Sequence, residues 1–168
     1  MTHVALLLLL IVGMNFPAQP ALAGPAPNPG LAPLKFLVGK WHGTAQDGKV
    51  FRASSRFTSG GTSLTETLAS EKEPAMTTMY HLDGKHLMLT HYCSLNNQPR
   101  MRAGEYKDGD KTLTFSFVDA TNLASPSDMH MHQVTFEFND RNHFTQSWVA
   151  MKDGKEMPPH VFQFKRVE

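Results

Sequence analysis

The chain has 168 residues, with 16 Lys and Arg against 15 Asp and Glu, a formal charge of +1. That balance gives no reason to expect nucleic acid or an anionic membrane surface as a partner. A single cysteine, Cys93, excludes an intrachain disulfide, so a small folded domain must stand on packing alone.

In chain order, residues 1–23 come first and differ from everything after them. Val4 to Val12 is purely apolar, Gly13 to Phe16 extends the run, and Ala21-Leu22-Ala23 gives a small-x-small site before Gly24. This is the layout of a secretory signal, although its start carries only His3 in place of Lys or Arg. The apolar run falls short of the ~20 residues a spanning helix needs. The expectation is cleavage after Ala23, a secreted or periplasmic mature chain of 145 residues, and no membrane span. Gly24 to Pro33 holds four prolines and two glycines and reads as an extended tether. Pro33 to Val38 reads as one short helical turn leading into Gly39-Lys40-Trp41.

From there, strands alternate with turn signals to the end, and no helical period of useful length appears. Strands are predicted near 41–46, 49–58, 62–70, 76–82, 85–94, 99–107, 111–119, 129–139, 142–152 and 160–167. Asp47-Gly48, Gly60-Gly61, Asp83-Gly84, Asp108-Gly109 and Asp153-Gly154 mark turns, and Asp-Gly suits the positive φ of tight hairpins. The fold class is all-β: an up-and-down antiparallel meander barrel of about ten strands over residues 34–168, closed so that no edge is exposed.

Side chains alternate along a strand, which assigns faces. With Asp83-Gly84 as the turn, Tyr80 opposes Leu87, Thr78 opposes Leu89 and Met76 opposes His91, and Cys93 shares their inward face. Val134, Phe136 and Phe138 carry His130 and His132 inward. Phe162 and Phe164 do the same for His160 and Arg166. Between Pro99 and Tyr106 the register stays open: either Arg100 and Arg102 or Met101 and Ala103 face the interior.

Leu37-Val38-Gly39-Lys40-Trp41-His42-Gly43 resembles the opening Gly-x-Trp strand of calycin barrels, the lipocalins, fatty-acid-binding proteins and their relatives. The wider segment Pro33 to Gly43 is similar to the start of ten-stranded nitrobindin-like haem-binding barrels and to that of uncharacterised exported bacterial barrels. In lipocalins the tryptophan closes one barrel end beneath a late arginine, and the resemblance implies Trp41 and Arg166 for that pair. The nitrobindin-like pattern implies a haem held by a histidine near the chain end, a place taken by His160.

Three constellations carry chemistry. Met129-His130-Met131-His132 with His91 and Cys93 offers imidazole, thioether and thiolate, donors suited to copper or zinc. His130 and His132 lie about 7 Å apart by strand rise, so a metal needs a third group. The plainer alternative is a polar patch inside a ligand cavity. His91-Tyr92-Cys93 suggests a thiol nucleophile, against a buried cysteine packing as a small hydrophobe. An inward Arg100 would hold a ligand carboxylate, against a solvated loop arginine. The resulting expectation is a carrier for a small, mainly apolar ligand, with Tyr80, His91, Arg100, His130 and His132 as its polar contacts and no catalytic residue. Its rivals are a haem or copper/zinc protein and a β-domain with a protein partner.

Overall fold

A computed structural model of the chain describes residues 26–167. The export segment expected over residues 1–23 lies outside the described residues, as does the very start of the expected tether.

Ten long strands close into one antiparallel barrel. They are β1 (Gly39–Ala45), β2 (Val50–Thr58), β3 (Ser63–Ser70), β4 (Met76–Asp83), β5 (His86–Tyr92), β6 (Gln98–Ala103), β7 (Thr112–Thr121), β8 (His130–Asp140), β9 (His143–Lys152) and, after a two-residue β10 (Lys155–Glu156), β11 (His160–Arg166). Neighbours in sequence pair down the chain to β9, β9 also pairs β11, and β11 returns to β1. β10 pairs only the end of β9. Among the described residues each of these ten strands has a hydrogen-bonded neighbour on both sides over at least part of its length.

Strand direction alternates, so the connections fall into two sets. Those at 46–49, 71–75, 93–97, 122–129 and 153–159 share one end of the barrel, and the remaining hairpins lie at the other with the segment preceding β1.

That preceding segment corrects the sequence reading. Pro29–Leu37 is a 3-10 helix, so the tether expected as extended to Pro33 is already folded from Pro29. Proline suits a helix start because the first N–H groups have no partner within the helix. The Asn28 side chain accepts from Gly30 N at 2.9 Å. Leu31, Leu34 and Leu37, three apart, fall on one side of a three-residue turn, and all are fully buried. They plug the barrel.

Trp41 locks this plug. Its Nε1 donates to Leu37 O at 2.8 Å, and its ring meets Phe144 edge-on at 4.7 Å. Arg166 lies opposite Trp41 in the β1–β11 register with its guanidinium 4.0 Å above the indole. It donates to Val38 O and Phe36 O, each at 2.7 Å, satisfying carbonyls the helix end leaves over. Two glycines of the opening motif are sterically required. Gly39 has φ 126°, and a Cβ on Gly43 would sit 2.4 Å from the Phe164 ring packed across it.

Candidate functional site

At the opposite end the same alternation leaves a hollow of about 590 Å³. Phe51, Leu68, Trp148 and Phe162 wall it, with Phe51 and Phe162 edge-to-face at 4.9 Å. Met76, Met129, Met131, Met157 and Cys93 add sulfur to the lining, and Met side chains adapt to irregular shapes. The rim, with Gln46, Asp47, Pro158 and Pro159, is exposed to solvent.

His91 supplies the buried hydrogen-bonding group. Thr78 stands directly opposite it on β4, and Thr78 Oγ1 is 2.9 Å from His91 Nδ1. The imidazole leans over Trp148 with ring centroids 4.6 Å apart. Burial lowers its pKa to about 4, so the ring is neutral at ordinary pH. Its other nitrogen, Nε2, has no hydrogen-bond partner among the described residues, and the side chain lines the cavity. The sequence register here was two residues off. The hairpin turns at Gly84-Lys85, pairing Asp83 with His86, Tyr80 with Leu89 and Thr78 with His91. A shift of two preserves the face, which is why the inward assignment of His91 holds.

Cys93 lines the same cavity, and burial raises its thiol pKa. With His91 Nδ1 turned to Thr78, the pair has the character of packed walls rather than of an activated nucleophile. His160 also lines the cavity, at its exposed rim.

Tyr80 sits deeper and does not reach the hollow. Its OH donates to Glu66 Oε2 at 2.7 Å, and Gln146 Nε2 donates to Glu66 Oε1 at 3.1 Å from across the barrel. Burial raises the Glu66 carboxyl pKa, and burial with the Glu66 charge takes Tyr80 well above its usual range. The trio braces the core beneath the cavity. Sequence reasoning did not single out Glu66 or Gln146. The available signal was an acidic residue alternating with Leu64 and Leu68 on the buried face of a strand.

Besides Tyr80, three expected ligand contacts, Arg100, His130 and His132, lie outside the cavity. Arg100 points outward, where Nε donates to Asp119 Oδ1 at 2.5 Å and a second bond joins the same groups, while Met101 is fully buried. A register shift between Arg100 and Met101 separates the two environments. His130 and His132 do not line the cavity. The β8–β9 pairing jumps from Met131↔Ala150 to Gln133↔Val149, and this bulge gives the inward position to Met131. The last β7–β8 pair is Ser116↔Gln133, and beyond it the two imidazoles fill the gap beside Phe117. There His130 Nδ1 donates to Asp128 O at 2.8 Å, and His132 Nδ1 lies 3.4 Å from His130 Nε2. His130 and Phe117 line a separate hollow of about 320 Å³ under the 122–129 connection. Consequently the four-residue copper or zinc set is split, His91 and Cys93 in one hollow and the other two histidines beside another. Among the described residues no three His, Cys, Asp or Glu side chains converge as a metal site.

No protein-family model matches the chain, and no curated protein does. Among solved structures, the crystal structure of Rv2717c from M. tuberculosis aligns over 84% of this chain and 99% of that one, with a TM-score of 0.57 and 13% sequence identity. The likeness is one of fold. It joins this barrel to another of the same architecture and says nothing of a ligand.

Proposed function

We propose that the protein is an exported carrier that binds a small, mainly apolar molecule in the open-end cavity, with His91 as its hydrogen-bonding contact. One observation carries the reading: about 590 Å³ of hollow with aromatic walls and, among the described residues, a single buried, neutral imidazole whose Nε2 is unpartnered. Protein interiors are close-packed, and hollows of ~300–1,000 Å³ with few polar groups are the usual form of small-molecule sites. Titration with Nile red, a neutral dye that brightens in apolar surroundings, tests it. Saturable binding by the wild type, lost in Ala45→Trp, is the expected result, because Ala45 lines the cavity near its rim. Equal dye binding by both proteins would remove the cavity as the site.

A second reading, haem held by His160, is favoured by that residue lining the same apolar hollow. A neutral imidazole is a competent axial ligand, and haem would supply redox or gas-binding chemistry. A Soret band that forms on adding haem and is lost in His160→Ala would support this reading. An unchanged haem spectrum would end it.

A further inference from the structure

We infer that the cavity selects an uncharged ligand bearing a hydroxyl and discriminates against anions of the same apolar body. The inference rests on the carrier reading and specifies its ligand by charge and by polar group.

The distribution of cations comes first. Lys49 is the one Lys or Arg in the cavity lining among the described residues, and it is already committed. Its Nζ lies 3.2 Å from Asp47 Oδ2 and 3.0 Å from Glu73 Oε1, and both acids line the same rim. Two carboxylates against one ammonium leave the rim with a net negative charge. Arg100, the residue that would receive a ligand carboxylate, is on the outer wall against Asp119. Arg166 is at the far end, held by Trp41 and the carbonyls of Phe36 and Val38. An anion entering head-first would meet only aromatic rings, thioethers and a neutral imidazole, and a buried charge without a partner is strongly disfavoured. Bound head-outward, it would face Asp47 and Glu73.

The floor decides the polar group. Thr78 occupies His91 Nδ1; among the described residues the fully buried side-chain atoms without a partner are Asn97 Oδ1 and Gln146 Oε1, so Nε2, on a cavity-lining residue, is not sealed away. A neutral imidazole presents Nε2 as donor or acceptor according to which way the Thr78 bond runs. A ligand hydroxyl satisfies either state, since it both donates and accepts. A ligand carbonyl satisfies one.

The test compares naphthalene, naphthylmethanol and naphthoate, which share one apolar body, by calorimetric titration at neutral pH and low salt. The expected order places naphthylmethanol about ten-fold or more tighter than naphthoate, as an unpaired buried charge requires. In His91→Leu the alcohol should lose its advantage over naphthalene. In Asp47→Asn/Glu73→Gln, which frees Lys49, naphthoate should gain affinity while the alcohol is unchanged. Naphthoate binding as tightly as the alcohol in the wild type, with Nile red still bound, would overturn this inference alone. Failure of Nile red and of all three compounds would overturn the carrier reading and the inference together.

Discussion

The two ends of the barrel are built from the same alternating strands, yet one is filled and the other is hollow. At the closed end Leu31, Leu34 and Leu37 enter from a helix at three-residue spacing, and Trp41, Phe144 and Phe164 complete the packing. Polar atoms there are paired within the protein, with the indole N–H and the Arg166 guanidinium bonded to backbone carbonyls. No described segment enters the open end in the same way. Its inward positions carry thioethers, a thiol and His91, and one nitrogen of His91 lacks a partner among the described residues. Filling an end calls for apolar side chains at the period of the plugging element. Keeping one open calls for adaptable walls and a polar atom left for something else.

The largest effect belongs to the closed end. Trp41→Ala removes a buried ring and leaves a cavity, a change that typically destabilises by about 3–5 kcal/mol. Urea unfolding should show it, and near-wild-type stability would mean that the plug does not depend on Trp41. At the open end the matching effect is one of pH. The unfolded chain holds its imidazole near the ordinary 6.5, whereas folded His91 is near 4, so between these values the unfolded state binds more protons. The His91 contribution is therefore fully present above pH 6.5 and falls away toward pH 4, by about 3 kcal/mol. Glu66 runs the other way. Its folded carboxyl keeps its proton above the usual 4.5, so its contribution shrinks as pH rises beyond that point. Unfolding of His91→Gln across the acid range should show a flatter decline than the wild type, and an identical decline would remove His91 as its cause.

Arg166→Met should come next, at about 1–3 kcal/mol, because it leaves the carbonyls of Phe36 and Val38 without donors. Dye binding at the far end should be unaffected, and a joint loss of stability and binding would show that the two ends are not independent. Arg100→Gln should do least. Both members of the Arg100–Asp119 pair are solvent-exposed, and such pairs contribute little. Weaker ligand binding in this variant would contradict the outward placement of Arg100.

Much of this was legible from residues alone. Strand alternation and the Asp-Gly turns gave the ten long strands, and Phe162 and Phe164 gave the inward face of the last one. His91 and Cys93 were placed correctly because an error of two residues in register leaves the face unchanged. The bulge was not legible. His130, His132, Val134 and Phe136 alternate without a break, so a continuous strand would send all four inward. Only pairing with β9 shows Met131 beside Ala150, with the histidines left where β7 parts from β8. The plug was read in part: Pro33 to Val38 was legible as a helical turn, and the turn before it was not. The prolines and glycines of 24–33 suggested extended chain, although proline at a helix start is compatible with the spacing of Leu31, Leu34 and Leu37.

The most direct test is a crystal structure of the protein with a brominated naphthylmethanol, located by the anomalous signal of its bromine. The account predicts one bromine site inside the open-end cavity, between the Trp148 and Phe51 walls, with the hydroxyl in hydrogen-bond reach of His91 Nε2. Bromine in the smaller hollow beside Phe117 and His130, or on the outer wall with the cavity empty, would contradict it.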